Sequence, residues 1–506
     1  MKYLLAFDMG TTNVKGVLID MRGTVINSWS EGMTVHSPYP NYHEQKPDDW
    51  WQAVITCSRK IAEKAGIEPG MVAGIAFTTM AMSVTMIDNN GDTLQPYSMI
   101  WRDNRASEEA AMLRRRIGGD KLSEWMLGIR VTGNYLVAKY HWFINNQPDL
   151  LKRAAAILDQ CAFLCLRATG ERISEWTHAA SSGLFDLQTK VWSDTAFRML
   201  GLTSIKDKFM RLVSPIEQVG KLTAEAARQM GLLEGTPVFG GALDAMTAIV
   251  GAGAPFVGDG TLIFGTSGDF AVLTNKKIRG HMGLVTTQSG DPEKLCYIGT
   301  SNSVGACMGW AAKNLYGGVS KEAFAQISED IKKTNAGADG LIFAPWMTGE
   351  RAPYHNDDIR GLFINLTVNH SREHLVRAIA EGVAFNYAVM AEAAEKQCGY
   401  KSPTIRAVGG IAKSLPWMQI FADVLNKRIE TVRDPEMAGA VGAALLTAVG
   451  LGEYPTVEKA AGVIKAVQYF EPDREKHEYY KERFEKFKMI FPATVQLFHK
   501  LNSAGS

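Results

Sequence analysis

Asp8-x-Gly10-Thr11-Thr12-x-x-Lys15 sits between two apolar runs at residues 3–7 and 14–19. Gly10 permits a tight reversal, Thr11 and Thr12 offer hydroxyls and backbone N–H groups, and Lys15 supplies a cation. That inventory suits phosphate oxygens, and Asp8, at a strand end, is placed to hold Mg²⁺ directly or through water. A plain hairpin with an Asp-capped turn would use the same residues, so spacing alone leaves both readings open. Gly265-Thr266-Ser267-Gly268 repeats the chemistry between apolar runs at 260–264 and 270–274. Two such turns could grip a triphosphate from both sides, which neither does alone. No Gly-x-x-x-x-Gly-Lys-Ser/Thr run occurs, which excludes a P-loop.

Asp244 lies among small apolar residues in Gly240-Gly241-Ala242-Leu243-Asp244-Ala245. A carboxylate there must be solvated, paired or employed. As a general base it could take a proton from an attacking hydroxyl, and as a helix cap it would need no chemistry at all. Trp101-Arg102-Asp103-Asn104-Arg105 puts an aromatic face beside hydrogen-bonding groups, which suits a polyhydroxylated ligand and equally a salt-bridged loop. Gly409-Gly410 follows a strand-like run and would let backbone approach a flat ring, or simply open a helix. His370-Ser-Arg-Glu-His374 has the spacing of a zinc helix, but Ser371 and Glu373 read as helix-start chemistry. Cys161-x-x-x-Cys165 reads as core, and Met80, Met82 and Met86 as packing.

The elements that must carry these residues alternate in type. Strands are expected at 3–7, 14–19, 24–29, 72–77 and 83–87, with a helix opened by Pro47 and carrying Asp48 and Asp49 in its first turn. This is α/β, with antiparallel pairs at one edge of the sheet. Residues 106–233 read as mostly helical. A strand is expected at 237–241, a strand–turn–strand at 260–274 that echoes the opening one, a helix at 373–396 and a strand at 405–408. From residue 471 a charged amphipathic helix reads as a solvated face. The length, 506 residues, suits two large domains or about three smaller ones. A net charge of +1 removes the attraction that nucleic acid or an anionic membrane would exploit, and Arg114-Arg115-Arg116 reads as a solvated helix face. Six cysteines in so long a chain make no disulfide framework, so a reducing cytoplasm is expected. Asp8 ends the first apolar run too early for a signal peptide, and the run near 439–452 is too short and glycine-rich to span a bilayer.

In chain order these segments resemble the FGGY family of carbohydrate kinases over nearly the whole sequence. The order runs from the Asp8–Lys15 turn through Gln45-Lys46-Pro47-Asp48-Asp49-Trp50-Trp51, Trp101-Arg102-Asp103 and Lys139-Tyr140-His141-Trp142. Gly235-Thr236-Pro237-Val238 with Asp244, Gly265-Thr266-Ser267, Gly349-Glu350-Arg351-Ala352-Pro353 and Gly409-Gly410 with Trp417-Met418-Gln419 complete it. The resemblance implies two actin-like, ribonuclease H-like ATPase domains with a catalytic cleft between them: 1–246 for sugar and a phosphate turn, 247–490 for nucleotide, then a tail at 491–506. It implies an ATP- and Mg²⁺-dependent kinase acting on a small sugar or polyol, with no nucleic acid or membrane partner and compatible with a homodimer.

Carried over by position, Asp8 resembles the Mg²⁺-associated carboxylate, and Gly10, Thr11, Thr12 and Lys15 the phosphate turn. Asp244 resembles the catalytic base. Gly265, Thr266, Ser267 and Gly305 resemble nucleotide contacts, and Gly409, Gly410 and Ser414 the adenine-side turn. Ala81, Met82, Trp101, Arg102 and Asp103 fall at substrate positions. Members similar to xylulose and gluconate kinases carry His at the position of Met82, and glycerol-type members carry Arg-Glu at Ala81 and Met82. This chain has neither, which disfavours glycerol and leaves Arg102 or Arg105 to compensate. Xylulose is the first expectation, with gluconate, another sugar acid or a polyol as the alternative. A non-catalytic sugar sensor or a partner-switching ATPase on the same fold are the rivals.

Overall fold

The computed structural model describes residues 2–120, 122 and 130–502. Two compact units emerge. The first comprises 1–255, 287–295 and 437–464, and the second 256–286, 296–436 and 465–506. This grouping is discontinuous, unlike the contiguous division at 246 expected from the sequence, and residues 503–506 of the expected tail lie outside the described residues.

The first unit is built on a six-stranded sheet of β1 (Tyr3–Met9), β2 (Asn13–Asp20), β3 (Val25–Gly32), β4 (Val72–Thr79), β5 (Gln218–Lys221) and β6 (Pro237–Leu243), in the order β5-β6-β4-β1-β2-β3. β6, β4 and β1 run parallel, while β2, β3 and β5 are antiparallel to their neighbours. Antiparallel strands therefore close both edges, not one. The parallel centre is apolar because both its faces are covered. Helix Pro47–Ala65 starts with Pro at a position that needs no N–H, carries Asp48 and Asp49 at its positive end, and stops at left-handed Gly66. Its buried stripe of Trp50, Val54, Cys57 and Ile61 packs on one face. Helix Ala438–Gly450 returns from late in the chain to lie against helix Asp244–Gly251. A Cβ at Gly442 would stand 1.8 Å from the Thr247 carbonyl oxygen, so this crossing requires glycine.

The second unit has a seven-stranded sheet of β7 (Gly260–Phe264), β8 (Gly268–Thr274), β9 (Val285–Gln288), β10 (Leu295–Ser301), β11 (Thr404–Gly409), β12 (Arg428–Val432) and β13 (Ala466–Phe470). The order is β9-β10-β8-β7-β11-β12-β13. β7 and β8 form an antiparallel hairpin, β11 and β12 add in parallel, and β13 closes antiparallel. The hairpin β1–β2 with parallel β4 and β6 and antiparallel β5 repeats the spatial order and strand sense of β7–β8 with β11, β12 and β13, although β5 precedes β6 in the chain and β13 follows β12.

Two expectations need correction. Residues 106–233 are not simply helical; short strands at Ala156–Leu158, Ile173–Glu175 and Arg211–Val213 interrupt the helices, while 121 and 123–129 lie outside the described residues. Helix Arg474–Lys488 is not a solvated appendage, because Tyr480, Phe484 and Phe487 recur at helical spacing and enter the second core. The charges of its other face dominate the composition and hide that stripe.

Candidate active site

The parallel strands β1, β4 and β6 end side by side, with Met9 and Leu243 both paired to Thr79. Asp8 and Asp244 thus flank the end of β4, two strand spacings or about 10 Å apart along the sheet edge. Asp244 is exposed, starts helix Asp244–Gly251, and accepts the Ala245 N–H at 2.7 Å. Thr247, one turn on, ties that helix to β4 through Thr78 (Oγ1 to Oγ1, 2.7 Å). Asp8 pairs across the hairpin with Lys15, and its Oδ2 lies 2.9 Å from where a Cβ on Gly439 would be. Burial raises the Asp8 carboxyl above its ordinary range, and Lys15 opposes the shift. In the turn between them Gln45 Nε2 donates to the Thr11 carbonyl at 2.8 Å, and Trp50 Nε1 donates to Gln45 Oε1 at 3.0 Å. Helix Pro47–Ala65 is thereby wired to the turn. Thr11 Oγ1 accepts from Trp101 Nε1 at 2.8 Å, whereas Thr12 is exposed.

Trp101 therefore stands against the Asp8–Lys15 turn. Arg102 is exposed with its guanidinium 5.9 Å from the Trp101 ring centre. Asp103 has a different role: wholly buried, it accepts the His43 N–H at 2.8 Å and binds Arg105 through both oxygens. Arg105 also reaches Glu44 and lies 3.7 Å over the Tyr42 ring, so it is engaged inside the protein and Arg102 is the guanidinium left facing solvent. Lys139, fully buried, donates to the carbonyls of Met82 at 2.8 Å and Ile100 at 2.7 Å. It joins the segment after β4 to the Trp101 loop. Burial pulls its amine down to about 7, with Asp103 opposing and Arg105 assisting. Ala81 and Met82 are partly buried, and Met82 adopts φ 61° and packs against the apolar cluster that includes Val84, Met99 and Leu136. A thioether in a left-handed backbone conformation is held there by the lysine.

Behind β4 and β6 a buried polar group went unnoticed in the sequence. Glu175 accepts the N–H groups of Thr177 and His178, the Thr177 hydroxyl accepts the Leu243 N–H at 2.8 Å, and His178 Nε2 is 3.1 Å from Thr79 Oγ1. Helix Trp176–Ser181 is so docked on the strand ends beside Asp244. Asp159, Cys161 and His178 bring potential ligand atoms within 4.8 Å, yet Asp159 caps helix Gln160–Thr169 and the Cys161 thiol donates to the Gly240 carbonyl at 3.3 Å. The hydrogen bond with Cys165, and then burial, keep that thiol protonated, so the trio is polar packing. Cys161 and Cys165 are core, as expected. Ser371 and Glu373 are helix-start chemistry, as expected, with Ser371 Oγ donating to Glu373 Oε2 at 2.5 Å, and His374 closes a capping box with Ser371. A surface cavity of about 600 Å³ along Gln52, Arg59 and Arg228 contains none of the candidate residues.

In the second unit Gly265 and Thr266 are exposed at the tip of the β7–β8 hairpin. The backbone N–H groups of Val304, Gly305 and Ala306 donate to the Gly265 and Thr266 carbonyls at 3.0–3.1 Å. Gly305 is obligatory there, since a Cβ would meet the Gly265 oxygen at 2.4 Å. Gly409, at φ 97°, passes against the Phe264 carbonyl, while Gly410 has open space where a side chain would stand. Ser414 meets Ser328 (Oγ to Oγ, 2.9 Å) at the start of helix Leu415–Leu425. The sequence-expected residues thus form one group in each unit.

The description of the FGGY family of carbohydrate kinases, N-terminal domain, matches residues 3–251, and its C-terminal domain matches 260–451. The chain belongs to the FGGY family of carbohydrate kinases. Among its relatives is the xylulose kinase of Bacillus subtilis (strain 168), 28% identical over 99% of both chains. The gluconokinase of the same organism is 26% identical over 99% of this chain and 96% of its own. The crystal structure of xylulose kinase from Rhodospirillum rubrum is similar with a TM-score of 0.86 at 27% identity, covering 98% of this chain and 100% of that one. This FGGY kinase has the two-domain α/β architecture expected of it. No described helix is long and apolar enough to cross a membrane.

Proposed function

We propose that this FGGY kinase transfers the γ-phosphoryl group of ATP to a hydroxyl of xylulose or a similar ketose. The observation that carries the reading is the placement of exposed Asp244 at the end of β6, beside β4 and the Trp101-walled turn that begins at Asp8. Asp244 takes the acceptor hydroxyl's proton on a carboxylate oxygen as the sugar oxygen bonds to the γ-phosphorus. The bond from that phosphorus to the β,γ-bridging oxygen breaks, and ADP leaves with its electron pair. The Gly265–Ser267 turn and Gly305 receive nucleotide phosphates, and the open face of Gly410 receives the base.

Asp8 suits a hard cation, because a carboxylate oxygen is the donor Mg²⁺ prefers and Gly439 keeps the space beside it clear. Asp8 would hold Mg²⁺ directly or through water, and the ion would supply neutralising charge to the phosphate oxygens. Six free thiols, five of them buried, support a reducing, cytoplasmic setting. Similarity to xylulose kinases over the full length supports the ketose. Gluconate is the second reading, supported by the gluconokinase relative and by Arg102, an exposed cation against Trp101.

Sugar-dependent ADP release over pentuloses, hexuloses, aldonates and polyols tests the proposal. Xylulose or a close ketose should give the highest kcat/KM. An aldonate maximum establishes the second reading, and absence of stimulation by every sugar refutes both. Asp244→Asn should lower kcat by roughly 10²–10⁴-fold while ATP binding persists. Near-normal turnover in that folded variant excludes Asp244 as the base.

A further inference from the structure

Glu350 is wholly buried in the second unit, outside the residues assigned above. Its Oε1 accepts the N–H groups of Asn302 at 2.7 Å and Arg351 at 3.0 Å. Its Oε2 accepts Ser301 Oγ at 2.7 Å and Asn386 Nδ2 at 3.1 Å. Four donors converge on one carboxylate, and neither a protonated acid nor an amide can satisfy them all. The segment they hold, Ser301–Asn302, leaves β10 and within two residues becomes the start of helix Gly305–Leu315. That start carries the N–H groups clamping Gly265 and Thr266. Arg351 reinforces the hold through Nε to Asn302 Oδ1 at 2.8 Å, and Ala352 N–H donates to the Thr300 carbonyl at 3.0 Å.

We propose that Glu350 is a positioning residue for nucleotide: its ionised carboxylate fixes the 301–306 segment and, through it, the backbone of the Gly265–Ser267 turn. The proposal rests on reading that turn as a nucleotide contact. Burial lifts the Glu350 carboxyl to about 7, with its hydrogen-bond donors and Arg351 opposing. The other titratable groups around it are Asp269, which accepts the Thr300 hydroxyl, and Cys307, Tyr354 and Tyr387, all kept protonated by burial. Loss of the negative charge below neutrality therefore leaves the four donors short of acceptors and loosens the turn. Glu350 acts without touching the ligand.

The test is calorimetric titration with ADP and Mg²⁺ of the wild type, Glu350→Gln and Thr266→Val at pH 8 and pH 6. Glu350→Gln should weaken ADP on the order of tenfold at pH 8, the scale of disrupting buried charge-assisted hydrogen bonds. The wild-type advantage should shrink at pH 6, where wild-type Glu350 also loses its charge; comparing both proteins with the same ligand cancels titration of ADP itself. If Thr266→Val weakens ADP and Glu350→Gln does not, the positioning role is wrong. If neither weakens it, the assignment of the turn is wrong and the positioning role falls with it. A Glu350→Gln deficit equal at both pH values also overturns the proposal, because packing and not charge would be responsible. Should Glu350→Gln not fold, Ser301→Ala removes one donor, with a several-fold loss expected and no change refuting.

Discussion

At the scale of single residues, position 82 bears most directly on substrate choice. Met82 adopts φ 61° and packs against the apolar cluster that includes Val84, Met99 and Leu136, so this stretch of wall is apolar. A site that hydrogen-bonds a substrate hydroxyl rejects analogues lacking it, because a buried polar group left unmatched is costly. With a thioether here, discrimination for a hydroxyl at the facing carbon should be weak. Met82→His should raise kcat/KM for xylulose relative to deoxy and shortened analogues by about tenfold, the worth of one good hydrogen bond. An unchanged ranking across that panel removes position 82 from substrate reading. Asp8, Asp244 and the two Thr turns were legible in the sequence because strand, glycine and carboxylate are neighbours along the chain. Gln45, Lys139 and Glu350 stand in the motif runs but took no role from them, because their partners lie 34, 57 and 48 residues away and only folding brings them together. Asp103 was open to a ligand role and to a salt-bridged loop, and folding turns its carboxylate inward to Arg105 and the His43 N–H, the second of these sixty residues away.

At the scale of elements, the Lys139 clamp joins two segments that the sheet alone does not hold. Helix Leu136–Asn146 carries the amine, and the segment after β4 and the Trp101 loop each contribute one carbonyl. Lys139→Met would keep most of the volume and leave both carbonyls without a donor. A stability loss of about 2–4 kcal/mol is expected, read from urea unfolding, together with a higher KM for sugar. Wild-type-like values for both would show that water replaces the amine. A neutral amine retains two N–H groups for its two carbonyls, so deprotonation near pH 7 should leave this clamp closed. Strands β1, β2, β4, β7 and β11 were readable from apolar runs bounded by turn residues. The strands of three residues between 156 and 213 were not, being too short to show a period. Helix Arg474–Lys488 was read correctly in type and wrongly in burial, because three aromatics among many charges weigh little in any average.

At the scale of the whole molecule, two mixed sheets carry the chain, and buried titratable groups packed beside them couple its stability to pH. Glu175 docks helix Trp176–Ser181 on the ends of β4 and β6, and burial lifts its carboxyl from 4.5 to about 8, against the pull of Thr177 and His178. Between those two values the folded protein binds this proton more tightly than the unfolded chain does. Stability from this group is thus fully present below about pH 4.5 and is lost as pH rises towards 8. His178 works in the opposite sense: burial lowers its imidazole below 6.5, so the unfolded chain binds that proton more tightly and stability falls as pH drops below 6.5. The two effects overlap with opposite sign between pH 4.5 and 6.5, and a single melting curve would blend them. Glu175→Gln separates them, because an amide oxygen still accepts the Thr177 and His178 N–H groups and has no charge to desolvate. The gap in unfolding free energy between variant and wild type, read from urea titrations, should widen in the variant's favour from pH 6 to pH 8, by about 3 kcal/mol at most. Parallel midpoints across that range would mean that Glu175 is ionised in the folded protein throughout, with water reaching the oxygen that lacks a protein partner.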